Sequence, residues 1–487
     1  MSLSSSFMQR LCIFAAAFAC ASAMKNLVMV TDLLHEAGSR AASEASRIDF
    51  HGQFLGYAGH YSVQSSFPGR TNHLYAWLQP STSANLNAPL IIWLQGGPGG
   101  PGWFGAFGEI GKYYISGNAT SPELRDRCFT WCAKYNCLFV DQPVNTGFSF
   151  QTDSVTGKPI TDVNDVAYTN SSADATRQVF DVLFQVYSAF PELRTQPLII
   201  AGESYGGLYT PNLAAHVLDW NIAHAKNPVD FAALAVGDPC INWRYQMATY
   251  PNTLYGMGVI MLDEKAELES IMTKSIANLG NCTAAFNLWN GVWDDNGGLA
   301  PSAGRGWFAK KTGSFNTENV LMGNSPPGFG YSFEFLTMPD AQKAFHIDST
   351  PKPSDANQNS LNIYNSFVAS GDWCANSSHL YARILTTSSV DLMIYSSTSD
   401  PLLGPPTTEA GVLAVLDDAV SQSPSAGRSL KESFLSTAKD IWFVDHKADR
   451  QPAGYAKCTA VPSRSSRFCY TVVRNAGHET PGLFLFF

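Results

Sequence analysis

Blocks of alternating residues give way along this chain to blocks that are apolar throughout, and the change of pattern outlines the architecture. Residues 48–79 alternate: Gly56-Tyr57, His60-Tyr61-Ser62-Val63 and Leu74-Tyr75-Ala76-Trp77-Leu78 predict antiparallel strands opening a sheet. Leu90-Ile91-Ile92-Trp93-Leu94 is apolar without a break and stops at Gly96-Gly97-Pro98-Gly99, the signature of a strand buried on both faces. Cys137-Leu138-Phe139-Val140, closed by Asp141-Gln142-Pro143, repeats that signature, as does Pro197-Leu198-Ile199-Ile200-Ala201. Between these two runs, Val179, Val182, Leu183 and Val186 recur at helical spacing and predict a helix over 172–189. Strand, helix and strand at this spacing imply a mainly parallel sheet with helical crossovers. Strand signals return at 390–395 and 468–473. The stretch 245–345 breaks the rhythm: 263–277 reads as helix, and 291–330, rich in Gly, Asn, Ser and Pro, reads as loop. The expected organisation is therefore an α/β core in two parts, 45–244 and 346–487, carrying a cap-like insertion at 245–345 over its site.

Composition narrows the function. The chain has 487 residues, of which 45% are hydrophobic, enough for one large core with an insertion. A net charge of −9 with only 15% charged residues argues against a nucleic-acid partner, whose phosphates call for Lys and Arg. At the start, Arg10 precedes an apolar run over residues 11–21, and Ala21-Ser22-Ala23 supplies small residues suited to cleavage. Residues 1–23 are expected to be a signal peptide, because the run falls short of the ~20 residues that span a bilayer. No later run reaches that length, so no stable membrane insertion is expected. Cys12 and Cys20 leave with this segment, which takes the ten cysteines to eight. An even set in a secretory chain suits disulfides. Cys458 and Cys469 are spaced to staple a hairpin, while Cys128, Cys132 and Cys137 pair among themselves or elsewhere. That cluster lacks nearby histidines at zinc spacing, so no metal site is expected. Sequons at Asn118, Asn170, Asn281 and Asn376 are candidate glycosylation sites, and the protein is expected to be secreted or delivered to an acidic organelle of the secretory pathway.

The candidate chemistry begins at Gly202-Glu203-Ser204-Tyr205-Gly206, a G-x-S-x-G sequence between an apolar strand and a helix-like stretch from Leu213 to Asp219. This matches the nucleophile elbow expected of an α/β-hydrolase, in which a strained turn lifts the serine hydroxyl above the sheet and glycines leave room for the turn. Ser204 is the predicted nucleophile. It needs a base, and the base needs an orienting acid. In this fold their chain order is Ser, Asp, His. Asp400 and His478 each lie just past a predicted strand end, where such sheets set their sites. His224 and His346 read as ordinary helical or loop histidines.

Four ordered motifs resemble the serine carboxypeptidase family, in particular the vitellogenic-like carboxypeptidases, over residues 50–481. Trp93-Leu94-Gln95-Gly96-Gly97-Pro98-Gly99 is similar to the family's W-L-[NQ]-G-G-P-G. Phe139-Val140-Asp141-Gln142-Pro143 with Gly147-Phe148-Ser149 resembles F-[VL]-D-Q-P-x-x-x-G-[FY]-S, and Gly202-Glu203-Ser204-Tyr205-Gly206-Gly207 resembles G-E-S-Y-[AG]-G. Leu254-Tyr255-Gly256-Met257-Gly258 with Leu262-Asp263 is the fourth. The resemblance implies an enzyme that removes single residues from peptide carboxyl ends through an acyl-enzyme, in acidic surroundings and without a cofactor. It implies that Gln95, Glu109 and Glu203 recognise the substrate's free carboxylate, and that the backbone N–H groups of Gly97 and Tyr205 form the oxyanion hole. Its partners are then peptides with a free C-terminal carboxylate. Carboxylates this close to a substrate carboxylate cannot all be ionised, whereas His478 must be neutral to act as base; that balance, together with the resemblance, implies an acidic optimum at about pH 4.5–6.

The chain departs from the family in two ways. Gly100-Pro101-Gly102-Trp103 stands where the family has a small residue and two serines, so Pro101 removes an N–H and Trp103 adds bulk near the oxyanion loop. After His478 the expected final helix has no counterpart, which would leave an apolar sheet face uncovered. Two alternatives remain: an acyltransferase or esterase on the same scaffold, against which Gln95, Glu109 and Glu203 speak, and a non-catalytic binding protein, against which Ser204, Asp400 and His478 speak.

Overall fold

The computed structural model describes residues 27–83, 85–293, 306–314, 316–322, 331–445 and 450–483. The expected signal peptide and parts of the 291–330 loop lie outside the described residues. An antiparallel meander opens the sheet with β1 (Arg47–Phe50), β2 (Gln53–Gln64) and β3 (Arg70–Gln79), as the alternation predicts. Next come β4 (Leu90–Leu94), a separate hairpin of β5 (Tyr113–Asn118) and β6 (Ser121–Asp126), and β7 (Asn136–Val140). The short β8 (Phe150–Asp153) pairs with β3, and β9 (Pro159–Ile160) pairs with β8. The sheet continues with β10 (Leu198–Glu203), β11 (Phe231–Gly237) and β12 (Asp391–Ser397), and ends with β13 (Asp440–Asp445), β14 (Arg450–Ala460) and β15 (Arg467–Val473). In space the order is β1-β2-β3-β7-β4-β10-β11-β12-β15-β14-β13, and β7 through β15 in that order are parallel.

The unbroken apolar runs are explained by two cores, one on each face of the sheet. Leu90, Ile92 and Leu94 face one core with Val179, Val182, Leu183 and Val186 of the helix Ser172–Ala189. Ile91 and Trp93 face the other with Phe139, Phe107 and Phe345. A strand with period-2 side chains that meets a core on both sides has no polar position to give up. Ser171 caps the helix by accepting from the Asp174 N–H at 3.2 Å.

Between β11 and β12 the described chain is helical. Trp243, Phe286, Trp289 and Trp373 form its centre; Trp243 and Trp373 stack with ring centroids 4.6 Å apart. The helix Cys282–Trp293 extends into the stretch read from sequence as loop, and Trp307–Thr312 is a further helix inside it. Phe286, Trp289 and Trp293 lie on one helical stripe, and burial of that stripe outweighs the Gly- and Asn-rich composition beyond it. The disulfide Cys282–Cys374 ties this helix to the turn after the helix Ala356–Ser370, so the helical excursion runs past the expected boundary at 345. Cys458–Cys469 staples β14 to β15 as expected, and Cys132 pairs with Cys137, leaving Cys128 exposed and Cys240 buried as free thiols. A short helix, Thr480–Leu483, follows His478. Nearby, the sheet face carrying Ala235, Met393 and Thr471 borders a groove of about 680 Å³. Among the described residues no helix is long and apolar enough to cross a membrane.

Candidate active site

Parallel register brings the strand ends to one edge. Leu94 pairs with Gly202, Glu203 with Gly237, Gly237 with Tyr395, and Ser397 with Val473. Each residue that follows one of these ends is therefore delivered to the same place, however far apart they are in sequence.

Ser204 is held at φ 58°, left-handed for a residue with a side chain. Its N–H donates to the Gly237 carbonyl at 3.0 Å, and its own carbonyl accepts from the Gly207 and Cys240 N–H groups, each at 2.9 Å. These bonds fix the turn from both sides. A Cβ at Gly202 would lie 2.5 Å from the Leu94 carbonyl oxygen, and one at Gly96 would lie 2.8 Å from Ser204 Cβ and from Tyr205 N. The glycine loop after β4 thus rests directly on the elbow. Gly97 takes φ +116°, and neither its N–H nor that of Tyr205 has a backbone acceptor among the described residues. Two free donors beside a serine hydroxyl are what a developing oxyanion requires. The Tyr205 hydroxyl donates to Asp372 at 2.7 Å, which fastens the elbow to the helical excursion.

Asp400 and His478, 78 residues apart, meet through His478 Nδ1 and Asp400 Oδ2 at 2.7 Å, both buried. The other Asp400 oxygen accepts from the Leu402 N–H at 2.7 Å, so the carboxylate is aimed. Burial works against a charged imidazole, but the charge and hydrogen bond of Asp400, with Glu479 and Asp238 behind it, push His478 up to about 10. Asp238 and Glu479 are themselves driven well above the carboxyl range, first by burial and then by their acidic neighbours Asp400 and Glu318. In acid these two are neutral, and His478 then loses two of the anions that hold its proton.

Ser204, His478, Gln95, Gly97 and Glu203 line one cavity of about 380 Å³. The Trp93 indole N–H donates to Gln95 Oε1 at 2.8 Å, which leaves the amide NH₂ as the donating end. Glu109, on a short π-turn Gly105–Glu109 at the far end of the glycine loop, comes back to Glu203; both are 1% exposed. Neither carboxyl oxygen of Glu109, nor Oε2 of Glu203, has a hydrogen bond of good geometry, although the two carboxyls interact with each other and Glu109 with Gln95. Burial raises both acids. Glu203 goes furthest because Glu109 adds repulsion, whereas hydrogen bonds from Glu203 and Gln95, and after them the charges on His478 and Arg127, draw Glu109 back toward ionisation. The pair is therefore asymmetric, with the proton on Glu203.

Pro101 and Phe104 line the cavity, whereas Trp103 turns away to pack against the second core, so the expected bulk beside the oxyanion loop is absent. Arg127, Asp238, Glu318 and Glu479 were not singled out from sequence. Asp238 accepts from the Ser397 N–H at 3.0 Å and from the Thr480 hydroxyl at 2.6 Å, tying the strand ends beneath the site. Its place just after β11 at Gly237 was the available signal. No spacing marks Arg127 or Glu318, which reach the site only through tertiary folding.

The model for serine carboxypeptidases matches residues 47–483. This chain belongs to the serine carboxypeptidase family. It is 28% identical over 432 residues to a probable serine carboxypeptidase CPVL of Rattus norvegicus, covering 87% of this chain and 79% of that one. It is 27% identical over 431 residues to the venom serine carboxypeptidase of Apis mellifera, covering 87% and 80%. It is 24% identical over 459 residues to the vitellogenic carboxypeptidase of Aedes aegypti, covering 93% and 86%. The structure of Kex1(delta)p, a prohormone-processing carboxypeptidase from Saccharomyces cerevisiae, aligns at a TM-score of 0.64 with 20% identity, covering 90% of this carboxypeptidase and 93% of that chain. At that identity the likeness speaks to the α/β-hydrolase fold.

Proposed function

We propose that this serine carboxypeptidase releases single residues from peptide carboxyl ends by a Ser204–His478–Asp400 mechanism. The observation that carries the reading is the position of the Gln95 amide and Glu203 in the same cavity as Ser204 and His478, with Glu109 buried against Glu203. A protonated Glu203 and the Gln95 NH₂ donate to the substrate's α-carboxylate, so the last peptide bond lies over Ser204. His478 takes the Ser204 proton as oxygen attacks the carbonyl carbon, and Asp400 stabilises the imidazolium. The oxyanion meets the Gly97 and Tyr205 N–H groups, each worth about 3 kcal/mol in the transition state. His478 then returns its proton to the departing amine, the C–N bond breaks, and water hydrolyses the acyl-enzyme by the reverse sequence.

The setting follows from the same residues. Three disulfides suit an oxidising compartment, reached through a signal peptide at 1–23. Asn118, Asn170, Asn281 and Asn376 are all exposed and open to glycosylation. The decisive experiment incubates the protein with one peptide as its free acid and as its C-terminal amide, with and without a serine-directed phosphonate. Release of a single C-terminal residue from the acid, abolished by phosphonate that mass spectrometry locates on Ser204, is expected. Internal cleavage, or label elsewhere, would refute the reading.

A further inference from the structure

The groove of about 680 Å³ on the face of the sheet is separate from the cavity of Ser204: no residue lines both. Ala235, Met393 and Val473, on β11, β12 and β15, lie along it, with Phe129, Trp131 and Pro481 beside them. Phe129 is 73% exposed and Met393 39%, so the groove opens to water. Its size is that of a pocket for a small molecule, about 300–1,000 Å³.

Two buried polar groups interrupt these apolar walls. Tyr395 lines the groove at 4% exposed, and its hydroxyl has no hydrogen-bond partner among the described residues. Its ring lies across Gly237, where a Cβ would come 2.7 Å from the hydroxyl oxygen. Gly237 is the register partner of Glu203, so that hydroxyl stands near the Glu109–Glu203 pair. Glu109 is the second group: it lines the groove at 1% exposed, and neither of its oxygens has a hydrogen bond of good geometry. Unpaired polar atoms are costly to bury, and two in one groove call for a group that arrives to bind them. Glu109 is also the single acid among the described residues lining the groove, and no lysine or arginine lines it. Arg127 gives its guanidinium to the Phe107 carbonyl instead.

We infer that this groove is a second binding site, for a small amphiphilic amine whose ammonium meets Glu109 and the Tyr395 hydroxyl while its apolar body lies along Trp131, Met393 and Val473. An ammonium has three hydrogens to give, and both the carboxylate and the phenol oxygen accept. An anionic head would face Glu109 with no cation lining the groove to offset it. Glu203 lines the catalytic cavity and Glu109 the groove, so the pair forms the partition between them. A cation held in the groove therefore sits behind the acids assigned to the substrate carboxylate. Binding there does not depend on which bond Ser204 cuts.

The test is a calorimetric titration of the whole protein with octylamine, set against octanoate, which has the same chain length and the opposite charge. Octylamine should bind saturably and about tenfold or more tighter than octanoate. Met393→Arg puts a cation into the groove and should weaken octylamine by about tenfold or more. Met393 is partly exposed and lies outside the cavity of Ser204, so this variant should fold and keep its rate on peptides. Tyr395→Phe removes only the hydroxyl and should weaken octylamine by about fivefold. No saturable binding of octylamine, equal affinity for octanoate, or an affinity that either substitution leaves unchanged would overturn the amine site. Each of those results would leave the exopeptidase reading untouched.

Discussion

The strand-end edge and the helical excursion above it build one cavity by different means. At the edge, Ser204, Asp400 and His478 are set by backbone: parallel register, a left-handed turn and hydrogen bonds of 2.7–3.0 Å. In the excursion, Phe286, Trp289 and Glu318 are set by side-chain packing, the Cys282–Cys374 disulfide and two hydrogen bonds to the loops below. Backbone register tolerates little displacement, which suits bond-making. Packing of side chains accepts substitution more readily, which suits the choice of substrate. The difference assigns rate to the edge and selectivity to the excursion.

The hardest blow to that division is Ser204→Ala. It should lower kcat/KM by about 10,000-fold or more with an unchanged melting temperature, because the hydroxyl takes part in the turnover and not in the turn. A variant that keeps more than a hundredth of wild-type activity would mean that the edge does not make the bond. A smaller effect is expected of Glu203→Gln, which sharpens where recognition ends and catalysis begins. In the wild type, raising the pH takes the proton from the Glu203–Glu109 pair and weakens binding of a peptide acid. The same rise neutralises His478 and speeds the chemistry, so the acid substrate should give a bell and its amide only the rising limb. Gln cannot lose a proton, so the variant's falling limb for the acid should move to higher pH. Coincident acid and amide profiles in the wild type would remove this role from the pair. The smallest effect on rate is expected of Cys282→Ser with Cys374→Ser. Opening a link across 92 residues should cost about 3 kcal/mol, read as a lower melting temperature, and raise KM several-fold more than it lowers kcat. A loss confined to kcat would show that the excursion shapes the chemistry itself.

Legibility followed the same line. Strands with cores on both faces, the elbow at Ser204 and the glycine loop at 96–97 announce themselves because each is a local pattern with a local cause. The helix Cys282–Trp293 was partly misread because its apolar stripe is short and runs into Gly- and Asn-rich sequence. Glu318 was invisible, being one acid in a polar stretch, and only its bond to the loop at His478 gives it meaning. Glu479 was visible as a residue but not as part of the cavity wall, since nothing in the order His-Glu-Thr-Pro tells whether the acid faces water or a cavity.

By itself the sequence determined the parallel sheet, the serine on its strained turn and the order of Ser204, Asp400 and His478, because hydrophobic period and glycine geometry act within a few residues. Only the tertiary structure decided that Glu109 returns to Glu203 and Gln95, that His478 and Arg127 lie near enough to bias the pair, and that Glu318 meets Glu479. Those relations depend on distances between segments up to 161 residues apart in the chain. The interaction of buried charges falls off with distance in space, and spacing along the chain carries no record of it.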